Sequence, residues 1–187
     1  MYQDSANIFQ AELSSSEKLI WSGQPLTGVR LRKQDALLIP FSFLWGGFAI
    51  FWEWSVFNSK APIFFRLWGV PFVLVGLYLI LGRFFVDAKQ RAKTFYGLTN
   101  ERVIIISGIF SRNVKSLNLK TLSEINLDEK SDGSGTITFG SNYLPTARWV
   151  GNGWPGANQY ALPSFELIER VKEVYDQIRR AQNEIAK

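Results

Sequence analysis

Two apolar runs lie back to back in the first half of this chain, and they constrain what it can fold into. The first extends from Leu37 to Phe57 and the second from Pro62 to Val86, with only Asn58-Ser59-Lys60 as a polar break. A helix of about 20 residues rises roughly 30 Å, the thickness of a bilayer's hydrocarbon core. The pattern predicts a helical hairpin in a membrane, followed by a second domain of about 100 residues. The competing reading makes both runs core helices of a soluble protein. Their length, their all-round hydrophobicity and the placement of Trp52, Trp54 and Trp68 beside the break argue against it. Tryptophan gathers at membrane–water interfaces.

Each run carries one charge near the break, Glu53 in the first and Arg66 in the second. Either costs a few kcal/mol at a bilayer centre. Folded back at the turn, the two fall at similar depth, so they are expected to pair across the hairpin or to snorkel outward separately. Gly46, Gly47, Gly69, Gly76 and Gly82 allow close approach of helix backbones. Pro40 lies in the first turns of one run, and Pro71, deeper in the other, is expected to kink it.

Basic residues set the expected orientation. Lys18, Arg30, Arg32 and Lys33 precede the hairpin, Arg83, Lys89, Arg91 and Lys93 follow it, and the turn has only Lys60. The positive-inside rule then puts both termini in the cytoplasm. No signal-peptide pattern is visible in residues 1–34, so the first run is expected to stay as an anchor. The expected organisation is a cytoplasmic segment at 1–34, a two-span hairpin at 35–86 and a cytoplasmic domain at 87–187.

From Thr94 the pattern changes from continuous to alternating. Thr94–Thr99, Arg102–Ser107, Arg112–Leu119, Ser123–Lys130 and Thr136–Phe139 read as strands joined by tight turns, among them Asn100-Glu101 and the run Ser131 to Gly135. Residues 141–160 are rich in Gly, Asn and Pro and read as a long loop holding Trp149 and Trp154. Ser164 reads as the N-cap of a final helix with an apolar stripe of Ile168, Val171, Val174, Tyr175 and Ile178. Strands followed by one amphipathic helix make an α+β domain.

The run Phe95-Tyr96-Gly97-Leu98-Thr99-Asn100-Glu101-Arg102-Val103-Ile104-Ile105 resembles the opening of bacterial pleckstrin-homology-like (PH-like) domains. Gly108, the Arg112–Leu119 strand, Ile125 and Gly135-Thr136-Ile137 follow in that family's order. The preface Glu17-Lys18-Leu19-Ile20-Trp21-Ser22-Gly23-Gln24-Pro25 is similar to that of its membrane-anchored members. The resemblance implies a split β-barrel of two antiparallel sheets closed at one end by the C-terminal helix. It also implies binding or scaffolding rather than catalysis, and ring assembly in some relatives. The loop at 141–160 is longer than a minimal domain of this kind needs.

The chemistry agrees with a non-catalytic role. The sequence has no cysteine and no histidine, which removes thiol nucleophiles, Ser-His-Asp arrangements and the usual zinc ligands. Asp128, Glu129 and Asp132 read as a solvated cluster at a strand end. Gly133-Ser134-Gly135 is too short for a phosphate loop. No enzyme activity, cofactor or metal is expected. The candidate contacts for lipid or partner are Arg91, Lys93, Arg102, Arg112, Lys115, Lys120, Arg148, Trp149 and Trp154. Scattered solubilising charge explains the basic ones equally well, because Arg112 and Lys115 are an odd step apart on a strand and so point to opposite faces. The net charge of +5 follows from membrane orientation, and nucleic acid is not an expected partner. The expected function is a binding or scaffolding module anchored in the bacterial cytoplasmic membrane, contacting lipid head groups or other membrane proteins, with homo-oligomerisation open. The alternative is an accessory subunit docked on the cytoplasmic face of a larger membrane complex.

Overall fold

A computed structural model describes residues 7–28, 35–109, 111–140 and 162–185. The chain divides into two compact units, Val29–Ala88 and the pair of segments Met1–Gly28 and Lys89–Lys187.

In the first unit the two apolar runs are helical. Helix α1 spans Asp35–Asn58 and α2 spans Ile63–Leu77, after which a wide π-helical turn at Tyr78–Gly82 leads into α3 at Arg83–Ala92. Pro40 and Pro71 both sit inside their helices. Two stretches, Ala36–Asn58 and Ile63–Ala92, are long and apolar enough to cross a membrane. The seam between α1 and α2 is built from small side chains. Ser42 and Ala49 of α1 are buried, as are Gly69 and Gly76 of α2. A methyl group at Gly76 would come within 2.9 Å of Gly46 Cα, so the backbones touch at this glycine pair. Such close approach lets dispersion contacts accumulate along the seam.

The second unit holds two antiparallel sheets and a helix. The four-stranded sheet has the order β1-β2-β3-β4, with β1 at Leu19–Gly23, β2 at Phe95–Thr99, β3 at Arg102–Ser107 and β4 at Asn113–Asn118. The three-stranded sheet is β5-β6-β7, with β5 at Ile125–Glu129, β6 at Gly135–Phe139 and β7 at Ser164–Ile168. Helix α4 covers Val171–Ile185. The sheets share a core in which Phe165 is the hub: its ring lies 5.5 Å from Trp21, 4.7 Å from Tyr96 and 5.1 Å from Phe139. Val171, Val174, Ile178 and Ala181 of α4 are buried, and all four belong to this cluster. The spacing of three and four residues gives one apolar stripe along the helix. Gln182 fastens the far end of α4 by donating to the carbonyls of Leu119 and Leu122, both at 3.1 Å.

Three expectations are corrected. Among the described residues the two sheets remain separate and do not close into a hydrogen-bonded barrel; a backbone bond from Leu26 N to Leu167 O (2.8 Å) bridges the end of β1 toward β7. The N-terminal stretch read as a segment of its own contributes a strand to the sheet, since Leu19–Gly23 pairs with β2 and falls in the sheet unit. Ser164 caps no helix: residues 164–168 form β7, and the helix starts at Val171. A bulge explains that misreading. Gly135 pairs with Ile168 and Ile137 with Phe165, so two residues of β7 oppose Thr136 alone, and Leu167 takes φ 51°. Leu167 and Ile168 are then both buried, and the two-residue alternation that identifies a strand is lost. The loop read at 141–160 lies outside the described residues.

Candidate functional site

The outer face of the four-stranded sheet is covered by the chain's own N-terminal segment. Residues 7–10 form a single helical turn, and Phe9, fully buried, packs with Ile104 and Ile106. Gly97 makes the room: a methyl there would lie 2.8 Å from the Phe9 ring. Ile8, Leu13, Leu19 and Phe95 border this second, smaller core.

A polar clamp holds the segment down. Arg102, at the start of β3, meets Glu17 with two charge-assisted bonds, Nε to Oε1 and Nη2 to Oε2, both 2.8 Å. Its Nη2 also donates to the Glu12 carbonyl (2.7 Å) and its Nη1 to Ser116 Oγ (3.1 Å). Glu17 further accepts from Thr99 Oγ1 at 2.7 Å and from the Ser14 backbone N–H at 3.1 Å. The Glu17 side chain is fully buried. The Arg102 guanidinium holds its carboxyl well below the usual range, at about 2, with Thr99 and Ser14 adding to the effect against the opposing cost of burial. The same bond pushes Arg102 upward. Beside it, Arg112 pairs with Glu12 at 2.9 Å in a more exposed setting.

This clamp changes the meaning of the basic residues singled out from the sequence. Arg102 and Arg112 converge, but on acids of the N-terminal segment. Arg91 is buried and donates to the Gly28 carbonyl at 2.8 Å. Lys93 Nζ donates to the Ile109 carbonyl at 3.2 Å. Lys115 lies opposite Ile105 in the register, in the row that also holds Leu117, and is half-buried. Lys120 is exposed in a short 3-10 turn. The six do not assemble into one basic pocket. Arg148, Trp149 and Trp154 lie outside the described residues. Asp132 is occupied by the turn it caps, accepting from the N–H and hydroxyl of Ser134, which lowers its pKa. Among the described residues no acidic cluster has the arrangement of a metal site.

In the hairpin the expected Glu53–Arg66 pair is not formed. Arg66 turns toward the loop and donates through Nη2 to the Ser59 carbonyl at 3.1 Å, with its guanidinium carbon 6.0 Å from the Phe57 ring centroid. Glu53 packs its carboxylate into the space left by Gly69, and both oxygens are shielded from solvent without a hydrogen-bond partner. Of the two outcomes expected from the sequence, pairing or snorkelling, Arg66 takes the outward one, toward the loop carbonyl of Ser59.

A family profile described as bacterial PH domain matches residues 37–182, which takes in most of both units. The chain belongs to the bacterial PH domain family. No curated protein and no solved structure matches it. The resemblance read from Tyr96 to Arg102 therefore rests on real kinship. The clamp now gives two residues of that opening a physical role in this bacterial PH domain. Thr99 accepts from the backbone N–H of Arg102 at 2.9 Å and donates to Glu17, and Arg102 carries the ion pair.

Proposed function

We propose that this bacterial PH domain protein is a non-catalytic binding module anchored in a membrane by its helical hairpin, with both termini on the cytoplasmic side. The observation that carries the reading is the outward face of the hairpin. Over the most apolar stretch of each span only 17% and 11% of residues are buried. Side chains such as Leu44, Trp54 and Ile63 stand exposed. A core helix of a soluble protein hides such residues, and patches this large mark a lipid or protein contact.

The sheet supports the even number of crossings. β1 precedes the hairpin and β2 follows it, yet they pair as neighbours. Both ends of the hairpin must therefore reach the same side of a membrane. The basic residues flanking the hairpin favour the cytoplasm for that side.

A second reading is that the protein serves as an accessory subunit on the face of a larger membrane complex. It gains weight from the clamp: Arg91, Arg102 and Arg112 already hold partners within the protein, which weakens the case for a lipid head-group pocket built on them. Flotation of the full chain with membranes after alkaline carbonate washing tests the anchor; recovery in the soluble fraction overturns it. Native mass spectrometry of the protein released in mild detergent separates the two readings. Anionic lipid that stays bound, and is lost on joint substitution of Lys93, Lys115 and Lys120 by glutamine, supports the head-group reading. Stoichiometric co-release of other membrane proteins supports the accessory subunit.

A further inference from the structure

We propose that two copies of this chain associate side by side in the membrane through reciprocal ion pairs, Glu53 of each copy with Arg66 of the other. The inference rests on the membrane-anchored reading above and goes beyond it by naming the partner.

The argument begins with unsatisfied atoms. Both Glu53 oxygens and Arg66 Nε are shielded without a hydrogen-bond partner. Arg66 offers five N–H donors, and the hydrogen bond seen from it goes to Ser59. In hydrocarbon such groups are costly, and charged side chains there pair with one another or with backbone. Glu53 and Arg66 are each only partly buried as residues. Glu53 lies against Gly69, and Arg66 stands three residues before that glycine on α2; a rotamer change turns each charged end toward a neighbouring hairpin.

Depth supplies the second support. Glu53 stands five residues before the end of α1 at Asn58, and Arg66 three residues after the start of α2 at Ile63. Those offsets are roughly 7.5 and 4.5 Å along the helices, less than one helical turn apart. Two copies inserted in the same orientation are related by a two-fold axis along the membrane normal, which keeps every residue at its own depth. An acid can then meet the base of the other copy only if the two share a level, as they do here. The patch is self-complementary, as an isologous interface requires. It closes with two identical bridges and satisfies both residues of both copies. A foreign helix bearing one cation would satisfy Glu53 and leave Arg66 as it is.

The test uses the full chain, labelled with donor or acceptor fluorophore and reconstituted at high dilution in phosphatidylethanolamine/phosphatidylglycerol vesicles. The wild type is expected to show energy transfer from a dimer. Glu53→Gln alone and Arg66→Gln alone are each expected to weaken association roughly tenfold or more, since each removes both bridges. Mixing donor-labelled Glu53→Gln with acceptor-labelled Arg66→Gln restores one bridge and part of the signal, which neither variant gives by itself. The exchange Glu53→Arg with Arg66→Glu restores both bridges. A monomeric wild type, or a mixture no better than its components, overturns the proposal. Flotation of the same vesicles keeps the readings apart: protein that fails to float sinks the anchor, whereas protein that floats as a monomer sinks only the reciprocal pairing.

Discussion

Two glutamates with shielded carboxylates divide this molecule. Glu17, in the sheet unit, has a bidentate arginine, a hydroxyl and a backbone N–H on its carboxylate. Glu53, in the hairpin, has a glycine notch and no hydrogen-bond partner. The side chain is the same, and in both the carboxylate oxygens are shielded from solvent. A carboxylate with its bonds made fastens the surface over it, while one without them marks where the fold still has bonding capacity to offer. The first belongs to the architecture of the protein and the second to its associations.

The sharpest way to break the comparison is to remove each partner in turn. Arg102→Leu strands Glu17 in a buried, unpaired state and is expected to cost about 3–5 kcal/mol, read as a lowered thermal midpoint of the detergent-solubilised chain and as early proteolysis of residues 7–17. Arg66→Leu removes no partner from Glu53 and is expected to leave the thermal midpoint of an individual chain near that of the wild type. An equal loss in both variants would erase the distinction.

Phe9→Ala tests whether the N-terminal segment is held by packing as well as by charge. It is expected to destabilise the sheet unit by about 3 kcal/mol, measured by denaturant unfolding followed through tryptophan fluorescence. The pH dependence isolates the clamp. The Glu17 pKa is depressed in the folded state, so its contribution is fully present above the unfolded value of 4.5 and disappears as pH falls toward about 2. Stability should therefore decline across that window by about 2–3 kcal/mol more in the wild type than in Glu17→Gln. Parallel curves would detach the clamp from stability.

Gly69→Ala sharpens the hairpin side. A methyl there overlaps the Glu53 carboxylate, which must move, and the expected loss is about 1–3 kcal/mol in helix-hairpin stability by steric-trap unfolding. Glu53→Gln closes the series. With no ion pair to lose, it should change the stability of the single hairpin by less than about 1 kcal/mol, in contrast to the loss of about 3–5 kcal/mol expected for Arg102→Leu.

Much of this molecule could be read from its residues, and the two missed strands share one cause. The hairpin announced itself by length and hydropathy, and β2 to β6 by alternation; Arg102–Ser107 has the bounds expected of it. The two missed strands both contain bulges. In β1 the register slips between Leu19 and Trp21, so Leu19 packs in the cluster around Phe9 while Trp21 joins the main core. Residues two apart therefore face opposite ways, and no alternation is left to detect. In β7 the slip at Leu167 makes the segment resemble the start of the helix that follows. The clamp was hidden for a different reason. Glu17 and Arg102 are 85 residues apart in the chain, with the whole hairpin between them, so no local spacing connects them. From the sequence Arg102 reads as a candidate lipid or partner contact, and the structure shows its guanidinium engaged with Glu17.

The pairing of β1 with β2 also bears on how such a protein is made. The first strand of the sheet leaves the ribosome before the hairpin, and its neighbour leaves after it. If the hairpin crosses a bilayer as proposed, the four-stranded sheet cannot close until the chain has been threaded out and back. A polypeptide that failed the return crossing would leave β1 and β2 in different compartments, with the Phe9 cluster and the Glu17 clamp unformed. On that reading, completion of the sheet reports that insertion has succeeded.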